Sequence, residues 1–162
     1  MTDEIVLSQV DGTALVAVAR DLFLEYAAAI GVDLEYQGFT AELAALPAPY
    51  VPPDGALLVA HAGGVVAGCV ALRRLDEHAG EMKRLYVRPA YRSGGLGRRF
   101  VEAVIAAANA AGYRALRLDT LPSMASAQAL YRRVGFVEIA AYNMTHLPGT
   151  RFYSLDLQRA SP

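Results

Sequence analysis

Apolar positions along this chain repeat with two different periods, and the switches between them outline its elements. Residues 4–10, Glu-Ile-Val-Leu-Ser-Gln-Val, alternate and are rich in β-branched side chains, which predicts a strand. From Thr13, which can cap a helix, Leu15, Val18, Leu22, Tyr26 and Ala29 recur at helical spacing until Gly31 stops the run. A second, short helix is predicted after Phe39, and Pro47, Pro49, Pro52, Pro53 and Gly55 end it in a turn-rich passage. Two apolar runs then flank Gly63 and Gly64, the pattern of a β-hairpin. Residues 81–87 read as a further strand. A helix over residues 97–111 comes next, with Phe100, Val101, Val104, Ile105 and Ala108 on one face and Gly112 at its end. Residues 114–120 return to strand. Ser123 can cap another helix, which carries Ala127, Leu130, Tyr131 and Val134 as far as Gly135. Residues 136–142 and 151–157 complete the set as strands.

Helices interleaved with mostly antiparallel strands, plus one strand-helix-strand crossover, predict one α/β domain with a mixed sheet. The 162 residues suit a single domain over 1–162, and no repeat or low-complexity tract divides them. Although 54% of the residues are hydrophobic, no apolar run reaches the ~18 residues that cross a bilayer, so a soluble protein is expected. The acidic start, Met-Thr-Asp-Glu, lacks the basic region and cleavable apolar segment of a signal peptide, which makes the cytoplasm the expected compartment. Cys69 is the only cysteine, which excludes an internal disulfide and a multi-cysteine metal site. Its apolar flanks predict a core thiol. His61, His78 and His146 show no metal-ligand spacing, so no metal is expected.

The net charge of −1 conceals an asymmetry. Residues 1–54 carry nine acids and only Arg20, a balance of −8, whereas residues 55–162 carry fourteen bases and seven acids, a balance of +7. A basic half can hold an anionic ligand and an acidic segment can attract a cationic one. Equally, the two halves can neutralise each other within the fold.

The segment Arg-Ser-Gly-Gly-Leu-Gly-Arg-Arg, 92–99, stands between a strand and a helix and admits four readings. Exposed backbone N–H groups at a positive helix N-terminus would cradle a phosphate, with Arg92, Arg98 and Arg99 adding charge. A nucleoside-triphosphate loop is excluded, because no Lys-Ser or Lys-Thr pair succeeds the glycines. A dinucleotide fingerprint has the right spacing at Gly95 and Gly97, with Asp119 at the expected remove. Against it, Phe100 stands where a third glycine is needed. The fourth reading is a glycine-rich turn that holds nothing.

Arg92, Gly95 and Gly97 match the pattern Arg/Gln-x-x-Gly-x-Gly/Ala, and here the chain resembles the GNAT superfamily of acyl-CoA-dependent N-acyltransferases, in which that pattern marks the pyrophosphate loop. The preceding Leu-Tyr-Val-Arg-Pro-Ala-Tyr-Arg and the downstream Ala-Gln-Ala-Leu-Tyr-Arg-Arg-Val-Gly-Phe, 127–136, are similar to family segments as well, and the order of elements agrees over nearly the whole chain. The resemblance implies a three-layer α/β fold, a mixed and mostly antiparallel sheet with helices on both faces and a splayed central strand pair. It implies acetyl-CoA as co-substrate. Leu85, Tyr86 and Val87 would flank the pantetheine arm, the Val87 N–H would face the thioester carbonyl, and Arg92, Ser93, Gly94, Gly95, Leu96, Gly97 and Arg98 would hold the pyrophosphate. One departure is Ala125, which stands where many members carry an asparagine.

The implied chemistry is direct attack of an amine on the thioester through a tetrahedral intermediate. It needs a base, N–H donors for the oxyanion and an acid for the leaving sulfur. Tyr131 matches the family's acid, against a plain reading as a packed helix aromatic. Glu81 is the first candidate for the base, against a reading as a partner of Lys83 or Arg84; Asp119 ranks behind it as a cap for Leu-Pro-Ser-Met. The acceptor walls would be residues 22–50 and 140–153, and the acidic first segment suggests a small primary amine, one option being an amino acid or derivative whose carboxylate meets Arg151. Neither nucleic acid nor a membrane is expected as a partner; family members are often dimers, which extends to a homodimer here by analogy alone. A non-catalytic acyl-CoA sensor and a nicotinamide-dependent oxidoreductase are the alternatives.

Overall fold

A computed structural model describes residues 4–158. Seven strands, β1 (Ile5–Gln9), β2 (Ala56–Ala62), β3 (Val65–Arg74), β4 (Ala79–Val87), β5 (Ala115–Thr120), β6 (Val137–Ile139) and β7 (Arg151–Asp156), form one sheet in the order β1-β2-β3-β4-β5-β7-β6. The four α-helices are α1 (Thr13–Ile30), α2 (Phe39–Ala45), α3 (Leu96–Ala110) and α4 (Ala125–Val134). Alternation along β3 explains why both faces are covered. Cys69 and Ala71 join Ala19, Leu22, Phe23 and Phe39 of α1 and α2 in one buried cluster, while Val70 and Leu72 join Phe100, Val101 and Val104 of α3 in the other. Cys69 is fully buried, as its flanks predict. Phe100 is also fully buried in the second cluster, filling a position where a dinucleotide loop needs glycine.

Several expectations need correction at the element ends. Thr13 is the first residue of α1 and makes no capping hydrogen bond; Gly12 precedes it at φ 85°. Ser123 does not cap α4 either, since that helix begins at Ala125 after Met124. The strand expected over 136–142 is paired only from Val137 to Ile139. Apolar alternation there overruns the strand because Tyr142 turns inward, its ring against Phe152 and its hydroxyl on Glu81. The Gly63–Gly64 hairpin is present, and φ of 57° and 85° at its two central residues is what a type I′ turn demands.

The charged halves do neutralise each other. Glu25 pairs with Arg88 at 2.6 Å, Glu42 with Arg84 at 2.6 Å and Asp54 with Arg74 at 3.1 Å, each linking the acidic segment to the basic remainder.

Strand β4 is irregular on both of its edges. All neighbouring strands pair antiparallel except β4 and β5, which run parallel and pair only at Ala79–Ala115, Gly80–Leu116 and Glu81–Arg117. Beyond Glu81 they part. On its other edge β4 carries one extra residue relative to β3 between the pairs Ala71–Lys83 and Cys69–Tyr86, a bulge with Arg84 at φ 60°. This conformation is unfavourable for a residue with a Cβ by about 1–3 kcal/mol and needs support from its surroundings. Support comes from the buried guanidinium, which donates to both oxygens of Glu42 at 2.6 and 3.0 Å and lies over the rings of Tyr26 and Phe39.

Candidate active site

Where β4 and β5 part, a cavity of about 850 Å³ opens, within the range typical of sites for small molecules and cofactors. Leu85, Tyr86 and Val87 of β4 line it, with Arg92, Ser93, Gly95, Leu96, Gly97 and Arg98 beyond them; of the residues expected to hold the pyrophosphate, Gly94 alone is not in the lining. Ser93 at φ 70° and Gly95 at φ 83° bend the loop so that it feeds directly into α3. The first amide bonded within the helix is that of Arg99, to Gly95 O at 3.1 Å. Consequently the amides of Leu96, Gly97 and Arg98 have no helical acceptor and sit at the positive end of the dipole. A side chain at Gly95 would meet nothing within 4 Å, so this glycine is required by its φ rather than by crowding. Arg92 folds back to donate to Val87 O at 2.9 Å, tying loop to strand. The Arg88 amide bonds Ala67 O of β3 at 2.8 Å, so by strand alternation the neighbouring Val87 turns its amide away from β3, toward the cleft.

A second recess, about 30 Å³, adjoins the first and shares Tyr26, Ile30, Leu85 and Met124 with it. Its lining adds Tyr36, Gln37, Lys83, Arg84, Asp119, Thr120, Tyr131 and Thr150. Tyr131 is 4% exposed, and its ring packs against Phe136 and Tyr153 with centroids 5.7 and 6.3 Å apart. Its hydroxyl has no hydrogen-bond partner among the described residues, and burial raises its proton affinity well above the ordinary tyrosine value. It is therefore a donor that keeps its proton. Thr120 is 3% exposed, and its hydroxyl also lacks a partner among the described residues.

Glu81 lies at the last paired register of the fork and lines neither cavity. Its carboxylate accepts from Arg73 Nε at 2.8 Å and from the Tyr142 hydroxyl at 2.5 Å, with Lys83 Nζ 3.9 Å away. Asp119, two residues past the same register on β5, stands differently: it lines the recess and caps nothing in Leu-Pro-Ser-Met. Burial raises its pKa, the Lys83 charge lowers it and the Glu81 charge raises it again, leaving it above the ordinary aspartate value. Lys83 completes the group, donating to Gln37 Oε1 at 3.3 Å; burial lowers its pKa against the pull of Glu81.

The expected acceptor walls are met only in part. Tyr26 and Tyr36 line the recess, but Glu25 and Glu42 are consumed by Arg88 and Arg84, Asp33 accepts from the Glu35 amide, and Glu35 holds Thr40. Arg151 does not face the recess. It is half exposed, lies 3.8 Å from Glu138, and is replaced in the lining by its neighbour Thr150. Lys83 and Gln37 are pocket residues that sequence reasoning misses, because an alternating strand and a short polar turn carry no mark of what they face.

The acetyltransferase (GNAT) family model matches residues 17–136, from within α1 to the turn after α4. An N-acetyltransferase of Schizosaccharomyces pombe whose function is uncharacterised is 36% identical over 140 residues, which cover 85% of this chain and 86% of that protein. An IAA acetyltransferase of Azospirillum brasilense is 44% identical over 87 residues, covering 53% of this chain and 57% of that one. Among solved structures, a GNAT family acetyltransferase from Elizabethkingia anophelis with acetyl-CoA bound superimposes with a TM-score of 0.69 at 20% identity, over 95% of this chain and 99% of that one. The chain belongs to the GNAT acetyltransferase family. It is an acyl-CoA-dependent N-acetyltransferase, which sets aside the nicotinamide and sensor readings.

Proposed function

We propose that this protein transfers the acetyl group of acetyl-CoA to the primary amine of a small molecule by direct attack through a tetrahedral intermediate, with Tyr131 as acid and a carboxylate at the β4–β5 fork as base. The observation that carries the reading is the early end of β4–β5 pairing at Glu81–Arg117, which opens a cleft with free loop amides at one end and Tyr131 beside its inner recess.

The residues present suit the co-substrate. Unpaired amides at the start of α3 match a pyrophosphate, each charge-assisted bond contributing roughly 1.5–3 kcal/mol, and the open space over Gly95 admits its close approach. Leu85, Tyr86 and Val87 would flank the pantetheine arm, and the Val87 amide is aimed to donate to the carbonyl oxygen. When bound, acetyl-CoA supplies an electrophilic acyl carbon and a thiolate leaving group. Tyr131 donates its proton to that sulfur, a role that its raised pKa keeps available at neutral pH.

Two carboxylates serve the base function in this reading, one directly and the other only through the first. Asp119 lines the recess and takes the ammonium proton directly. Glu81, enclosed by Arg73, Tyr142 and Lys83, acts on it from behind by holding its pKa up. Arg73 and Tyr142 each hold one oxygen of the Glu81 carboxylate, and Glu81 lines neither cavity, so it does not meet the amine.

The experiment is the unfolding temperature against rising acetyl-CoA, run beside NADH. A ligand that binds only the folded state stabilises it by about 2.7 kcal/mol at a hundredfold excess over Kd. A rise with acetyl-CoA alone, and then amine-dependent thiol release, is expected; a flat response to acetyl-CoA overturns the proposal.

A further inference from the structure

Charge in the inner recess is arranged unlike charge anywhere else in the molecule. The other buried or half-buried acids have strong partners: Glu42 holds Arg84, Glu25 holds Arg88, and Glu81 holds Arg73 and Tyr142. Asp119 has neither an ion pair within 4 Å nor a hydrogen bond from another residue's side chain among the described residues, although it sits partly buried in the lining. Facing it from β4, Lys83 is almost as poorly matched. Its side chain is 12% exposed, and its only close partners among the described residues are the neutral Gln37 oxygen at 3.3 Å and, at 3.9 Å, an oxygen of Glu81 that Arg73 already occupies. The two groups feel each other's charge yet do not touch. What separates them is the gap between two strands that stopped pairing at Glu81.

A lysine on β4 and an aspartate on β5 that line one recess without forming an ion pair are complementary to a ligand carrying both charges. We propose that the acceptor is an amine that also bears a carboxylate, with the amine at Asp119 and the carboxylate on Lys83. This rests on the acetyl-transfer function and names the acceptor class for it. A simple cationic amine is disfavoured, because it would pair with Asp119 and leave the recess with the uncompensated charge of Lys83. A zwitterionic acceptor leaves the recess neutral and gives each buried charge the partner it lacks. Arg84, the other cation in the lining, is already matched by both oxygens of Glu42, so the second charge of the acceptor falls to Lys83. Arg151, which sequence alone suggests for the same task, is outside the recess.

The test uses conjugates of coenzyme A in which the sulfur is joined through an acetyl linker to the nitrogen of glycine or of γ-aminobutyrate, each beside its carboxamide counterpart. These carry the acceptor portion from the main cleft to the mouth of the recess, where only its charged ends need reach Lys83 and Asp119, without requiring turnover. Affinities of the wild-type protein for the four conjugates and for coenzyme A are measured by titration calorimetry. In at least one pair the carboxylate is expected to bind about tenfold or more tightly than its amide, the scale of one hydrogen bond to a charged group. In Lys83→Gln and Lys83→Met that ratio falls to near one while coenzyme A affinity stays unchanged. Equal binding of acid and amide in both pairs overturns the proposal, as does a ratio that survives both substitutions. Failure of coenzyme A itself to bind is a different result: it removes the cofactor reading, and the acceptor class with it.

Discussion

The two ends of the β4–β5 cleft present polar groups of opposite kinds. At the outer end, residues 93–98 offer backbone amides at a helix start, contiguous in sequence and indifferent to most side chains. At the inner end, Lys83, Asp119 and Tyr131 come from β4, β5 and α4, and each contributes one side chain whose value depends on the others. Backbone recognition of this kind is robust to substitution except where the conformation or a charge intrudes. Side-chain recognition fails one residue at a time. The contrast predicts different mutational signatures at the two ends, and single substitutions at each end can break it.

The largest effect is expected at Gly95. Gly95→Asp places a carboxylate among amides that would hold an anion, and stabilisation by acetyl-CoA should disappear from the melting curve. Gly95→Asn is the matched control. Asparagine tolerates the left-handed conformation as well as aspartate and adds no charge, so it should keep most of the shift. Similar losses in the two variants would mean that φ, not the anion, is the reason for this glycine.

Tyr131→Phe comes next, at the other end. Loss of a general acid should lower kcat roughly a hundredfold or more, while acetyl-CoA affinity changes little because the ring packing is kept. Since burial raises the tyrosine's pKa, its proton remains in place through the ordinary titration range, and the wild-type rate should show no alkaline fall from this group up to about pH 10. A loss confined to KM for acetyl-CoA would return Tyr131 to a packing role.

A third pair of variants separates the two carboxylates. With Asp119 as the base, activity falls as pH drops through its pKa, which lies above the ordinary aspartate value. Asp119→Asn should remove that acidic limb together with roughly a hundredfold of the rate. Glu81→Gln removes the negative charge that helps keep Asp119 protonated, so the limb should survive but move to lower pH, with a smaller loss of rate. If the limb vanishes in Glu81→Gln and persists in Asp119→Asn, the roles are reversed.

The same contrast governs how much of the site is legible in the sequence. The proposed loop is legible because the residues that mark it lie close together: Arg92, Gly95 and Gly97, and at once an apolar helical stripe. The proposed acid, Tyr131, is marked in the same way, within Leu-Tyr-Arg-Arg-Val-Gly-Phe. The inner recess is not. Nothing local marks Glu81–Arg117 as the last β4–β5 pair, and that register is what carries Asp119 past the fork and into the recess. Asp119 reads as a cap because a proline and a serine come soon after it, and Glu81 reads as the base or as a partner of Lys83 or Arg84 because nothing local marks the inward turn of Tyr142, three residues past the end of β6. The acidic first third of the chain suggests attraction of an amine, but Glu25 and Glu42 are spent on Arg88 and Arg84. Charge totals report supply; only the pairing identifies what is left over.

The smallest expected effect concerns stability, and it arises from that leftover charge. A carboxyl whose pKa is higher in the folded protein than in the unfolded chain binds more protons when folded. Its contribution is therefore fully present below the unfolded value and lost as pH rises through the folded one, so at neutral pH ionised Asp119 weakens the fold slightly. Asp119→Asn removes the ionisation while keeping shape and volume. Its melting temperature should equal or exceed that of the wild type at pH 7, and its advantage should shrink as pH is lowered toward the ordinary aspartate range, where the wild-type carboxyl is neutral as well. Gly95→Asn has no such reason to gain. A protein that becomes less active and no less stable at Asp119 would mark that side chain as kept for the acceptor rather than for the fold. A melting temperature well below wild type at every pH would instead make Asp119 a structural partner, and would count against the charge left unmatched in the recess.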